Sequence, residues 1–158
     1  MSYQAIFIAP FAALGIRAAQ GVLTSIDFLP ASTPPQAAQD EVSGQVCAQL
    51  AAYLSDPAFA FDLPLALDGT PFRSEVWRAL CGIPSGETLT YSELARRLGS
   101  APRAVGQACG ANPIPIVVPC HRVVAKNALG GFMNHSAGDP LVIKRWLLNH
   151  EQAQRRSA

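Results

Sequence analysis

Residues 112–124 read Asn-Pro-Ile-Pro-Ile-Val-Val-Pro-Cys-His-Arg-Val-Val, and no other stretch of the chain is as unusual. Its three prolines cannot donate to a sheet ladder or continue a helix. The run from Pro113 to Cys120 is therefore predicted to be extended and to end in a sharp turn. That turn presents a thiol.

The residues at this turn carry candidate chemistry. In a regular strand Cys120 and His121 would point to opposite faces, so their cooperation requires the bend that Pro119 predicts. A neutral imidazole can take the thiol proton directly or through water, and a cation such as Arg122 can lower the pKa of the thiol. The pattern indicates a nucleophile. The alternative is a buried cysteine beside a structural histidine, the commoner fate of such residues, but it would not need three prolines and a His-Arg pair.

Two helices are predicted upstream of this stretch. Thr70 can cap the first, which has a proline at its first position and a closing glycine at Gly82. The second begins with Thr-Tyr-Ser-Glu at residues 90–93, which has the spacing of a capping box, and ends at Gly99.

A third short helix is predicted over residues 103–109, with Ser100 as its cap. Two helices joined by a tight glycine-containing turn are the outline of a helix-turn-helix. Ala104 and Gly106 are small enough for the backbone to approach a duplex closely, and Arg103 stands at the start of the helix. A helix that packs against another helix through small residues is the alternative.

The first half of the chain predicts a small antiparallel sheet with a covering helix. β-Branched and aromatic segments separated by turn signals predict three strands, over residues 3–8, 11–18 and 22–29. Apolar residues four apart predict a helix over 36–55. Residues 57–69, with two prolines and Asp-Gly, resemble a linker.

The expected fold class is α+β, with an N-terminal support domain (1–68) and a mostly helical C-terminal domain (69–158). The charge follows the same division. The first 68 residues hold one basic residue and six acids, a formal charge of −5, whereas the remainder holds eleven Lys and Arg and five acids, a formal charge of +6. The asymmetry favours a polyanion as partner of the second half, although a chance distribution of solvated charges would look the same.

Other features restrict the class of protein. The four cysteines stand far apart, without a Cys-x-x-Cys pair, so their spacing suggests neither a zinc site nor a disulfide framework. No apolar run reaches the roughly 18 residues of a membrane span, and the N-terminus lacks a signal-peptide pattern. We expect a cytoplasmic monomer with no metal and no membrane contact.

The motifs of the second half resemble one known family. Residues 71–151 are similar to the C-terminal domain of the O6-alkylguanine-DNA alkyltransferases, the methylated-DNA–protein cysteine methyltransferase family, whose hallmark Pro-Cys-His-Arg-Val is residues 119–123 here. Further matches are Pro71-Phe72, Val76-Trp77, Leu80, Ile83-Pro84, Gly86-Glu87-Thr88, Tyr91, Glu93-Leu94-Ala95, Arg103-Ala104-Val105-Gly106, Asn112-Pro113, Trp146-Leu147-Leu148 and His150-Glu151.

The resemblance implies single-turnover repair of O6-alkylguanine, with O4-alkylthymine as a further candidate. It implies that Cys120 accepts the alkyl group after His121 removes its proton through a water, while Glu151 orients the imidazole. Asn112 would brace the turn, and Tyr91 would donate to the leaving guanine. Without the resemblance, simpler interpretations are available. Glu151 would be an exposed acid, Asn112 a helix terminator and Tyr91 a half-buried core residue.

The resemblance also implies how double-stranded DNA is engaged. The alkylated nucleotide must rotate out of the duplex, and Arg103 would fill the vacated space from the minor groove. Ala104, Gly106 and Arg122 are the further expected DNA contacts. No cofactor is expected, because the alkyl group itself is the substrate.

The chain departs from the family pattern after the hallmark. Family members have a loop of the type Gly-Tyr-Ser-Gly-Gly, whereas this chain has Phe132 and a longer stretch, residues 133–139, before Pro140. The expected substrate pocket comprises Pro115, Phe132 and Ser136, with Ser136 in the role of the usual loop serine. A surface insertion that points away from the pocket is the alternative.

Two other classes of function fit parts of this pattern. An alkyltransferase-like protein would sense lesions without repairing them, but such proteins resemble this family with another residue in place of Cys120. A Cys-His hydrolase would need an oxyanion hole and would turn over repeatedly.

Overall fold

The N-terminal part is a three-stranded antiparallel sheet in a computed structural model that describes residues 2–132 and 140–157, with side chains as far as Gln152. Strands β1 (Ala5–Ile8), β2 (Ala13–Ala19) and β3 (Val22–Leu29) pair in chain order. The β2–β3 turn is Gln20-Gly21, with φ of 53° and 80°, the conformation that suits a two-residue hairpin. The predicted sheet is confirmed, with strand ends that differ by a few residues.

Helix α1 (Glu41–Ser55) packs on all three strands and buries Val42, Val46 and Leu50. The prediction that it begins at residue 36 is wrong. The Asp40 side chain accepts from the Ser43 backbone at 2.7 Å and forms a capping box, which sets the first turn.

The second half is mostly helical. Its elements are α2 (Pro71–Cys81), β4 (Leu89–Thr90), α3 (Tyr91–Leu98), α4 (Pro102–Gly110), a short 3-10 helix (Cys120–Arg122), β5 (Val123–Val124) and α5 (Pro140–Ser157). Strands β4 and β5 pair in parallel and so fix the start of α3 beside the end of the 3-10 helix. With the N-terminal sheet, these elements confirm the α+β class.

The caps of α2 and α3 are those that the sequence predicts, at Thr70 and Thr90. The cap of α4 is not Ser100. The backbone N–H of Ser100 instead closes α3 on Ala95 O at 2.9 Å, and α4 starts after Ala101 without a side-chain cap. Helices α3 and α4 pack against each other, and a helix-turn-helix stays a prediction.

The apolar core is continuous between the two halves of the chain. The predicted linker is part of this packing, since Leu23 N donates to Pro64 O at 2.8 Å and Ala66 N to Leu23 O at 2.9 Å. The division at residue 68 stays a prediction. Within the described residues, no helix has the length and apolarity that a membrane crossing requires.

The turn between α3 and α4 supplies a test of the fold. Gly99 has φ of 63°, and no described heavy atom lies within 4 Å of where its Cβ would be, so Gly99→Ala adds backbone strain without a clash. We expect the free energy of unfolding, measured with urea, to fall by about 1 kcal/mol. Gly106→Ala is the matched control, because that glycine is helical and equally open; it should raise stability by about 0.5–1 kcal/mol. A loss of stability in both variants would contradict this account.

Candidate active site

Cys120 lies at the end of a tight loop. Val118 N donates to Ile114 O at 2.9 Å, and Pro115 and Val118 form an isolated β-bridge. The chain therefore turns back on itself. Within this loop Ile116 has φ of 74°, a conformation that costs a β-branched residue about 1–3 kcal/mol. The predicted extended run is therefore wrong, because Val118 N bonds back to Ile114 O and Ile116 turns the chain at positive φ.

Asn112 holds this loop closed. Its Nδ2 donates to Val118 O at 2.8 Å, and its Oδ1 accepts from Ile114 N at 2.9 Å. Its side chain also hydrogen-bonds Cys120. After Pro119 the chain enters the 3-10 helix, which places Cys120 and His121 on one tight turn. The bend predicted at Pro119 is present.

The Glu151 carboxylate joins three side chains behind this turn. His121 Nε2 lies 2.7 Å from Glu151 Oε2, and Arg122 donates through Nε to Oε1 at 2.9 Å and through Nη2 to Oε2 at 3.0 Å. The Tyr53 hydroxyl donates to Oε2 at 2.6 Å. All four side chains are buried. Helices α1 and α5 and the 3-10 helix thus meet at one carboxylate.

The charges around this carboxylate set the state of the imidazole. Burial would raise the pKa of Glu151, but hydrogen bonds from His121 and Arg122 outweigh it and hold the pKa well below its usual range. Burial lowers the pKa of His121, and the nearby Arg122 and Lys144 cations add to the effect against the attraction of Glu151. His121 is therefore neutral near pH 7. Its Nε2 carries the proton toward Glu151, which leaves Nδ1 as an acceptor with no hydrogen-bond partner among the described residues.

The thiol of Cys120 is only 3% exposed. Burial raises its pKa to about 11, although the hydrogen bond from Asn112 and the charge of Lys144 act in the opposite direction. Burial therefore outweighs the effect of nearby charge on the thiol in this resting state, and the described cation that acts on it is Lys144 rather than the Arg122 that the sequence suggests.

An open cavity of about 860 Å³ reaches Cys120 from the surface. Tyr91 lines it and donates to Gly131 O at 3.2 Å; burial raises the pKa of this phenol to about 12, so it keeps its proton. The exposed Arg103 also lines the cavity, at the first turn of α4. The described residues that line it are Arg73, Tyr91, Pro102, Arg103, Gly106, Gln107, Cys109, Gly110, Ala111, Cys120, Gly131 and Phe132.

The other predicted site residues are placed as follows. Gly106 and Phe132 line the cavity, whereas Ala104 and the buried Pro115 are not among its lining residues. Ser136 lies outside the described residues, as does the longer stretch 133–139. In the part of the chain that the structure describes, no three His, Cys, Asp or Glu side chains gather into a group that could hold a metal ion.

The thiol that lines the cavity and the His121–Glu151 pair lie in the part of the chain that matches a known protein family. Residues 71–153 match the model of the 6-O-methylguanine DNA methyltransferase, DNA binding domain. The chain belongs to this family.

Relatives with known names extend the likeness to the whole chain. A methylated-DNA–protein-cysteine methyltransferase of Methanosarcina acetivorans is 37% identical over 156 residues, which cover 94% of this chain and 97% of that protein. The same-named protein of Methanosarcina mazei is 48% identical over 110 residues, 68% of this chain and 67% of its own length. A crystal structure of Mycobacterium tuberculosis OGT in complex with DNA has a TM-score of 0.81 at 36% identity and covers 98% of this chain and 94% of that one.

Several of the most similar relatives match over only part of their length. The aligned stretch covers 59% of the probable methyltransferase of Acanthamoeba polyphaga mimivirus and 65% of the methyltransferase of Methanosarcina barkeri. The alignments with the M. acetivorans protein and the M. tuberculosis structure cover 94% and 98% of this chain and so include the N-terminal sheet.

The Arg122 side chain lies inward, against the Glu151 carboxylate. Its guanidinium bonds Glu151 and donates through Nη1 to Ile83 O at 2.6 Å, and the residue is 8% exposed. The expectation that it meets DNA stays a prediction, which this inward pairing with a carboxylate does not favour.

Sequence reasoning missed two buried polar residues. Lys144 is fully buried and donates to Val123 O at 2.7 Å and to Gly131 O at 2.8 Å; burial lowers its pKa to about 8. Its position seven residues before Glu151, on the face of Leu147, could have signalled an inward lysine. Tyr53 lies three residues after Leu50 on the apolar stripe of α1, where a buried hydroxyl needs a partner.

The role of this inward pairing of Arg122 can be tested by substitution. Arg122→Met leaves Glu151 buried without its cation, so we expect the free energy of unfolding to fall by about 3–5 kcal/mol. Affinity for duplex DNA, measured at a temperature where the variant is folded, should stay unchanged. Arg103→Met is the matched control: it should weaken duplex binding and change stability by less than about 0.5 kcal/mol. Weaker DNA binding by Arg122→Met at unchanged stability would restore the original expectation.

Proposed function

We propose that this chain repairs DNA by transferring the alkyl group of O6-alkylguanine to Cys120 Sγ, in one turnover. The observation that carries the proposal is the position of Cys120, which lines the cavity and shares one 3-10 turn with His121, whose Nε2 lies 2.7 Å from Glu151 Oε2. The relatives' name, methylated-DNA–protein-cysteine methyltransferase, indicates the same activity, which is transfer of a methyl group from DNA to a protein cysteine.

The cavity suits an extruded base. Its volume lies within the range of about 300–1,000 Å³ that is usual for small-molecule sites. A stacked guanine cannot bring its O6 substituent to a buried thiol, so the nucleotide has to rotate out of the duplex. The M. tuberculosis relative has a structure with DNA, which supports the same kind of partner here.

The proposed transfer needs one proton to leave the thiol. A buried ring nitrogen without a protein partner is a site that water commonly satisfies, and His121 Nδ1 is such an atom. The thiol proton passes through that water to His121, and the resulting imidazolium is stabilised by Glu151. The sulfur then forms a bond to the alkyl carbon as the bond between that carbon and O6 breaks. The electron pair of the broken bond stays on the guanine.

The leaving guanine needs a hydrogen-bond donor, and Tyr91 supplies it. Its phenol lines the cavity, retains its proton and, in the resting structure, uses it only for the 3.2 Å bond to Gly131 O. A weak bond of this kind is readily exchanged for one to a developing anion. The S-alkylcysteine product is a thioether with no good leaving group, so the thiol is not regenerated and no cofactor takes part.

Double-stranded DNA is the proposed partner, bound by a monomer through its minor groove. The exposed Arg103 at the mouth of the cavity would occupy the space that the rotated nucleotide leaves. The formal charge of +6 on residues 69–158 provides affinity for phosphates, which should weaken as salt rises. In this proposal residues 69–158 bind DNA and transfer the alkyl group, and residues 1–68 support them.

The mass of the protein tests the activity. After incubation with a duplex that contains O6-methylguanine, we expect one methyl group per protein, on the Cys120 peptide, because one thiol is spent in one turnover. Cys120→Ser should accept none and still bind the duplex, since a hydroxyl cannot replace the thiolate.

Cys109→Ser is the matched control, because Cys109 lines the same cavity, and it should accept the methyl group as the wild type does. No adduct on the wild-type protein would indicate a lesion sensor, and repeated turnover without an adduct would indicate a hydrolase.

The role of Arg103 is tested by comparing two substrates. Arg103→Ala should slow transfer from duplex DNA at least about tenfold more than transfer from the free alkylated base, because only the duplex has to be held open. Single-turnover rates on both substrates give this ratio. Arg78→Ala, an exposed arginine on α2 that does not line the cavity, should leave the ratio unchanged. Equal slowing on both substrates by Arg103→Ala would refute the role.

A further inference from the structure

Tyr53 connects the N-terminal half of the chain to the candidate relay. It lies near the end of α1, and its hydroxyl donates to Glu151 Oε2 at 2.6 Å. That oxygen is the one that His121 Nε2 approaches at 2.7 Å. Tyr53, which lies 98 positions before Glu151 in the sequence, therefore bonds the same carboxylate oxygen that holds the His121 imidazole.

The position of Tyr53 is fixed by its other contacts. Its ring packs edge-on to His150 and lies 5.4 Å from Phe61, and its own carbonyl lies 2.8 Å from His150 Nε2. The side chain is 1% exposed. Helix α5 thus holds Tyr53 through the residue immediately before Glu151, so the hydroxyl and the carboxylate are positioned together.

The hydroxyl acts on Glu151 as a donor. Burial and the charge of Glu151 raise the pKa of Tyr53 well above its usual range, so the phenol keeps its proton. A carboxylate that shares its charge with more donors holds an adjacent imidazolium less strongly. Tyr53 therefore reduces the pull of Glu151 on a proton at His121 while it limits rotation of the carboxylate.

We infer that Tyr53 is a positioning residue for alkyl transfer: its hydroxyl orients Glu151 and keeps His121 a neutral base. This inference rests on the transfer chemistry proposed above. It gives the N-terminal half a part in the reaction beyond support.

Among the described residues, the titratable and charged groups beside the His121–Glu151 pair lie on α1, the 3-10 helix and α5. Tyr53 is on α1, and Arg122 is on the 3-10 helix with His121 and the thiol of Cys120. Lys144 is on α5, and its charge also lowers the pKa of His121. Tyr53→Phe changes none of these charges, so a shift in the titration of the relay reports the lost hydrogen bond.

The experiment compares the pH dependence of single-turnover methyl transfer from saturating O6-methylguanine duplex. The rate should fall at low pH as His121 gains a proton. In Tyr53→Phe this fall should occur at a pH higher by roughly half a unit or more, because the carboxylate attracts the imidazolium more strongly. The plateau rate should fall by less than about threefold if the retained ring still positions α1.

Tyr3→Phe is the matched control. Its hydroxyl also donates to a carboxylate, Asp27 Oδ2 at 2.8 Å, within the N-terminal sheet. Its rate profile should coincide with that of the wild type. Melting curves confirm folding, and Tyr53→Leu, which also lacks the hydroxyl, should repeat the shift of Tyr53→Phe.

The outcomes separate the inference from the proposed function. If the wild type accepts no methyl group, the transfer chemistry fails. If the wild type transfers and the Tyr53→Phe profile coincides with it, only the role of Tyr53 fails. An equal shift in Tyr3→Phe would likewise overturn that role.

Discussion

The burial of the Glu151 carboxylate is the constraint on which the rest of the site depends. Its side chain is 1% exposed, and an ionised carboxylate out of water costs several kcal/mol unless it is paired and hydrogen-bonded. Arg122 balances the charge, and His121 and Tyr53 occupy the remaining acceptor positions. Because these partners come from separate elements, the contacts that make the fold tolerate this charge also assemble the proposed relay.

This arrangement keeps the thiol protonated in the resting site. Burial raises the pKa of Cys120 to about 11 and lowers that of His121, so both groups are neutral near pH 7. The ion pair between the Cys120 thiolate and the His121 imidazolium is therefore a minor species. Lys144 stabilises its thiolate, and Glu151 stabilises its imidazolium. In the proposed reaction the alkylated base consumes the thiolate as it forms. A thiol held in this way resists adventitious electrophiles better than a permanent thiolate would.

How far the sequence predicts the structure depends on how local the cause is. The caps at Thr70 and Thr90 and the bend at Pro119 depend on neighbouring residues, and all three are present. The cap expected at Ser100 failed because α4 begins at Pro102, so that Ala101 occupies the N-cap position and Ser100 stands one residue before it.

The site divides in the same way. The sequence and its family resemblance identified Cys120, which lines the cavity, and the pair His121 and Glu151, which the structure brings within hydrogen-bond distance. The inward direction of Arg122 and the contact of Tyr53 depend on how distant helices pack. Periodicity indicates which face of a helix is buried, but it does not indicate which buried polar group will meet which partner.

The geometry of α4 bears on an alternative that the sequence left open. Small residues in this helix suit either close packing inside the protein or close approach by another molecule. Gly106 lines the cavity, and no described heavy atom lies within 4 Å of the position that its Cβ would occupy. Glycine in a helix costs about 0.5–1 kcal/mol relative to alanine, and no packing among the described residues offsets that cost at this position. Because glycine has no side chain, the helix surface beside Arg103 leaves room for close approach by another molecule, which in the proposed function is the duplex.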